Sequence, residues 1–128
     1  PTQSEVWQNA WVVPDAEKAA LNWVNKFNIG PFFMGEFGDN ILTDLVYRGQ
    51  PGTLNIIVAV AHAGPVQIEL IQRLDDKPNP YSDTVKPGET KFHHIGVWTN
   101  DMDADLEYYR ERNCEAAITG RVIDLQRF

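Results

Sequence analysis

Phe92-His93-His94-Ile95-Gly96-Val97-Trp98-Thr99 is a short β-rich run that ends at the polar break Asn100-Asp101, and Met102 to Arg112 then carries Met102, Leu106 and Tyr109 at helical spacing. The same layout stands near the start of the chain. Gln8-Asn9-Ala10-Trp11-Val12-Val13 is apolar and β-rich, and it ends at Pro14-Asp15, where proline stops a ladder and aspartate caps a helix. Ala16, Ala19, Ala20, Trp23, Val24 and Phe27 follow on one helical stripe. At an offset of 86, Gln8 meets His94, Ala10 meets Gly96, Val13 meets Thr99, Asp15 meets Asp101, Ala20 meets Leu106 and Trp23 meets Tyr109. The chain therefore reads as an internal repeat of a strand-helix unit.

Between the two copies the pattern is mostly β. Gly30-Pro31 ends the first helix, and Pro31 to Phe37 reads as a strand closed by the turn Gly38-Asp39-Asn40. Ile41 to Arg48 is a weaker strand. Leu54 to His62 and Pro65 to Leu74 are β-branched runs split by Ala63-Gly64, as in an antiparallel pair. Residues 75–91 hold Pro78, Pro80, Pro87 and Gly88 among polar residues, a composition that favours an extended linker. The expected architecture is α+β. Paired βαβββ modules form a curved mixed sheet with an open groove, the first spanning residues 1–74 and the second, which lacks roughly its last two strands, residues 92–128. The incomplete second sheet leaves edges and apolar surface that a second copy would cover, so a homodimer is expected.

Composition narrows the partners. The chain has 128 residues, a net charge of −7, and 11 Lys and Arg against 18 Asp and Glu, a poor match to nucleic-acid phosphates. The lone Cys114 permits no internal disulfide, and no apolar run approaches the length needed to span a bilayer. A cytoplasmic protein with a small-molecule ligand, and with neither nucleic-acid nor membrane partners, is the expectation.

Strand alternation picks out the candidate chemistry. Gln8, Ala10 and Val12 share one face and Trp11 and Val13 the other; His94, Gly96 and Trp98 separate in the same way from His93, Ile95 and Val97. In Val66-Gln67-Ile68-Glu69-Leu70-Ile71, Glu69 lies opposite Ile68 and Leu70. If the helices cover the Trp11/Val13 and Ile95/Val97 faces, Gln8, Glu69 and His94 project to the concave side, a set suited to a divalent metal. His93 would then face the helices and pack, and nothing ties His62 to the site.

The repeated module, Val-Pro-Asp ahead of a helix, Gln-Ile-Glu-Leu-Ile in a closing strand and Phe-His-His-Ile-Gly-Val opening the second module together resemble the vicinal oxygen chelate superfamily of glyoxalases, bleomycin-resistance proteins and extradiol dioxygenases. That resemblance implies a metal held by Gln8 and His94 on the first strand of each module and by Glu69 on the fourth strand of the first. It implies a fourth ligand on the last strand of the second module, which this sequence does not contain. The implied cofactor is a divalent cation among Zn, Ni, Co, Mn and Fe. The implied activity is that of a lyase or isomerase on a small oxygenated substrate, with Glu69 also serving as a catalytic base if it leaves the metal. Aromatic residues that line the groove, with Phe33 and Trp98 as the candidates, separately point to a partly apolar substrate. The alternative is a metal-free protein of bleomycin-resistance type that sequesters its ligand.

Overall fold

The computed structural model describes residues 4–123 and 126–128. In chain order its elements are β1 (Val6–Val12), α1 (Ala16–Phe27), β2 (Phe33–Phe37), β3 (Leu42–Tyr47), β4 (Gln50–Pro51), β5 (Ile56–Ala63), β6 (Val66–Arg73), α2 (Pro80–Thr84), β7 (Lys91–Val97), α3 (Met102–Arg110), β8 (Ile118–Val122) and β9 (Gln126–Arg127). Two sheets result, one ordered β2-β5-β6-β1-β7 and the other β4-β3-β8-β9. β1 runs parallel to β6 and antiparallel to β7. The α+β class and a β-α-β-β-β unit, made of β1, α1, β2, β5 and β6, follow the sequence pattern.

The helices begin where the repeat places them. Asp15 caps α1 by accepting from the Lys18 amide, and Asp101 caps α3 by accepting from the Ala104 amide, the same three-residue reach in both copies. α1 ends at Asn28, whose left-handed backbone (φ 55) closes the helix onto the Trp23 and Val24 carbonyls. Its apolar stripe buries Ala16 and Ala20 against Ala59, Ile68 and Leu70, with Trp11, Ala19 and Trp23 at the margin. The Trp11/Val13 face is thus covered by a helix, as alternation predicts. α3 behaves differently: it has no buried residue, and Ile95 and Val97 remain 52% and 39% exposed, so the second helix does not cover the matching face of β7.

The opposite face of the five-stranded sheet carries a second core, Ala10, Leu42, Leu54, Ile56 and Ile71, with Leu45, Tyr81, Ile118 and Val122 packed on it. This core explains where Ile41 to Arg48 goes. β3 leaves the first sheet and pairs with β8, because Leu42 and Leu45 are needed to join the two sheets rather than to extend one. The linker reading of 75–91 also needs revision, since it contains α2 and buries Asn79 and Val85. Asn79 accepts from the Tyr81 and Ser82 amides while Ser82 Oγ accepts from the Asn79 amide, a reciprocal cap followed by Pro80 at the first helical position.

The register between β1 and β7 carries the repeat into three dimensions. Gln8 pairs with Gly96 and Ala10 with His94. The 86-residue offset turns Gln8 into His94 and Ala10 into Gly96, so it exchanges one pair for the other, as a twofold between these strands requires. The irregularities obey the same rule. Trp7 has no partner between Val6/Val97 and Gln8/Gly96, and His93 has none between Ala10/His94 and Trp11/Phe92; these two bulged residues are also 86 apart.

Candidate metal centre

Phe33, Val60, Glu69, Ala10 and His94 occupy one row across the sheet, and His62, Gln67, Gln8 and Gly96 occupy the next. Strand pairing keeps each row on one face, so Gln8, Glu69 and His94 do share a side, the one opposite α1. Within that set the structure joins two. His94 Nε2 lies 3.3 Å from Glu69 Oε2, with the side chains 34% and 16% exposed. The two residues flank Ala10, which is fully buried in the core on this face of the sheet.

Gln8 is engaged elsewhere. Its Nε2 donates to Gln67 Oε1 at 2.7 Å, and its Oε1 and Cβ stand 2.8 and 2.9 Å from the position a Cβ on Gly96 would take. Gly96 is therefore a glycine for a steric reason: a side chain there would displace Gln8. Phe33 lies on the site face but two strands from Glu69, and it is 71% exposed. Trp98, 63% exposed just beyond β7, stacks on Trp7 with ring centroids 4.6 Å apart and planes 10° from parallel.

His93 departs from the sequence reading. Strict alternation puts it under a helix, but the bulge at His93 breaks the alternation and turns its ring toward His94. Its Nδ1 is 2.9 Å from His94 Nδ1, and its Nε2 is 3.0 Å from the Pro80 carbonyl. The Tyr81 ring packs on it with centroids 4.9 Å apart. Burial holds His93 below the ordinary imidazole range and the His94 ring adds to this, against the Pro80 hydrogen bond and the charges of Asp83 and Glu69. Burial and the Glu69 charge together push the Tyr81 phenol well above its usual range, so it stays protonated. Tyr81 was missed because α2 was read as linker, although the Asn79-Pro80 and Ser82 spacing signals a capped turn. A strand bulge has no comparable signal in Phe92-His93-His94-Ile95.

The donor set can be tested by its protons. A carbonyl oxygen only accepts, so His93 Nε2 must carry hydrogen. In the neutral ring His93 Nδ1 is then an acceptor, and the proton in the contact between the two rings belongs to His94 Nδ1. His94 Nε2 is left as a lone pair facing a carboxylate oxygen. Two acceptors in that position need something positive between them, a proton or a cation, or they cost on the order of 1–3 kcal/mol. A neutral imidazole nitrogen and a carboxylate oxygen are also a standard ligand pair for a divalent metal, so the residues fit such an ion. Among the described residues no three of His, Cys, Asp and Glu come together as a metal-binding group, and of the expected set the structure joins only His94 and Glu69.

Residues 7–124 match the family described as Glyoxalase/Bleomycin resistance protein/Dioxygenase superfamily. Among solved structures the chain is similar to the hypothetical protein BH1468 from Bacillus halodurans C-125, at 14% identity and a TM-score of 0.57, over 87% of this chain and 70% of that one. It is also similar to a methylmalonyl-CoA epimerase, at 19% identity and a TM-score of 0.47, over 84% and 70% of the two chains. Identities this low speak to the fold alone. No curated protein matches the chain.

Proposed function

Because the chain belongs to the glyoxalase/bleomycin resistance protein/dioxygenase superfamily, we propose that it is a divalent-metal-dependent lyase or isomerase of glyoxalase type acting on a small, partly apolar substrate with two adjacent oxygens. The observation that carries this reading is the approach of His94 Nε2 to Glu69 Oε2, with His94 Nδ1 already committed to His93. His94 and Glu69 would hold the ion, with the Gln8 amide as the third donor. A divalent cation held there would supply Lewis-acid chemistry that eases removal of a proton beside a carbonyl in a substrate with two adjacent oxygens. Glu69 would take the proton from the carbon beside the substrate carbonyl. Phe33 on the same face, and Trp98 with Trp7 behind it, offer apolar surface to the rest of the substrate. Assembly as a homodimer belongs to the same proposal.

A second reading, metal-free sequestration of a ligand, draws support from Gln8, whose amide bonds to Gln67 Oε1 while only His94 and Glu69 approach each other. Elemental analysis of purified protein separates the two. About one equivalent of divalent metal per chain, lost in Glu69→Ala, supports the enzyme; no metal in the wild type after incubation with Zn, Ni, Co, Mn or Fe sinks it in favour of sequestration.

A further inference from the structure

We infer that His93 is a positioning residue which, by anchoring on the Pro80 carbonyl and accepting at Nδ1, holds His94 in the tautomer that leaves Nε2 bare toward Glu69. The inference rests on the reading of His94 and Glu69 as metal ligands, and it assigns work to a residue outside that set.

His93 occupies the bulge of β7, the one location on this strand where two consecutive side chains can stand over the same face. That placement sets its Nδ1 2.9 Å from His94 Nδ1. Its other nitrogen meets a backbone acceptor, the Pro80 carbonyl, at 3.0 Å. Pro80 is the first residue of α2, and α2 is fixed by the cap of Asn79, which is 2% exposed. Tyr81 lies against the His93 ring and limits its rotation. The chain of donors therefore has one direction: His94 Nδ1–H donates to His93 Nδ1, and His93 Nε2–H donates to Pro80. A ligating imidazole whose far nitrogen is bonded in this way is fixed in ring orientation as well as in tautomer, and loss of such a partner typically lowers metal affinity about 10- to 100-fold.

Two measurements test this on the full chain. Nitrogen-15 NMR of the metal-free wild type should show His94 carrying hydrogen at Nδ1, and His93 carrying it at Nε2 with Nδ1 bare; a His94 bare at Nδ1 overturns the inference. Calorimetric titration with Zn²⁺ should show affinity reduced about 10- to 100-fold in His93→Phe, which keeps ring bulk but cannot accept, and close to wild type in His93→Asn, whose amide oxygen can take the place of Nδ1. Equal affinity in His93→Phe and wild type, or equal loss in both variants, contradicts it. A wild type that binds no Zn²⁺ removes the metal reading of the site, whereas the NMR pattern still decides the role of His93.

Discussion

His94 and Glu69 both stand opposite Ala10, one on each neighbouring strand, and their Nε2 and Oε2 atoms meet at 3.3 Å. Their backbones are two strand spacings apart, roughly 10 Å, so the side chains lean toward each other across the middle strand. A larger side chain at Ala10 would crowd the core and the pair that flanks it. Ala10→Val should lower the free energy of unfolding by about 1–3 kcal/mol through overpacking. It should also abolish Zn²⁺ binding in a titration of the folded protein; retention of wild-type affinity would mean the ion does not sit between these two residues.

The cap of α2 supports the site from behind. Asn79→Ala removes the acceptor for the Tyr81 and Ser82 amides and should cost about 0.5–2 kcal/mol in denaturant unfolding. Because Pro80 and Tyr81 hold His93, amide exchange should also accelerate across α2 and at His93 and His94. Exchange confined to α2 would show that the helix does not brace the histidine pair.

Asp83 of α2 meets the turn after β3 through Tyr47 Oη at 2.7 Å and Arg48 Nη2 at 2.8 Å. Burial alone would raise this carboxyl, but the hydrogen bonds from Tyr47 and Arg48, with the Arg48 charge, outweigh it and hold the group below the usual carboxylate range. A carboxyl lowered by folding adds stability above its unfolded value, about 3.9, and that contribution disappears as pH falls through the folded value. Asp83→Asn should therefore be less stable than wild type near neutral pH, with the difference shrinking below about pH 4. A difference that stays constant on acidification would show that the carboxylate's charge contributes nothing.

β7 is an edge strand whose outer face leaves Ile95 52% exposed and Phe92, beside the bulge, 49% exposed. An unpaired apolar edge is a surface another copy of the chain can cover. Light scattering should give a dimer, converted to monomer by Ile95→Lys; a wild-type monomer at every working concentration would contradict the homodimer.

Local signals carried much of this architecture. Asp15 and Asp101 announce both helices because an N-cap is satisfied within three residues, and Gln8, Glu69 and His94 could be sorted to one face because strand alternation has a fixed period. Where the outcome depended on distant partners, the pattern failed. β3 pairs with β8, some 75 residues away along the chain, and nothing in Ile41 to Arg48 encodes that choice. His93 escaped because a bulge is set by the register of two strands rather than by either one. α2 lay hidden in a proline-rich composition, although its cap is local and could have been read from Asn79, Pro80 and Ser82.

X-ray absorption at the zinc edge of the Zn²⁺-loaded protein addresses the site itself. The account predicts a first shell of nitrogen and oxygen at about 2.0–2.2 Å that includes the scattering pattern of one imidazole, which disappears in His94→Ala, and a reduced oxygen count in Glu69→Ala. A shell without imidazole, or one unchanged by either substitution, would contradict the assignment of His94 and Glu69 as the pair that holds the metal.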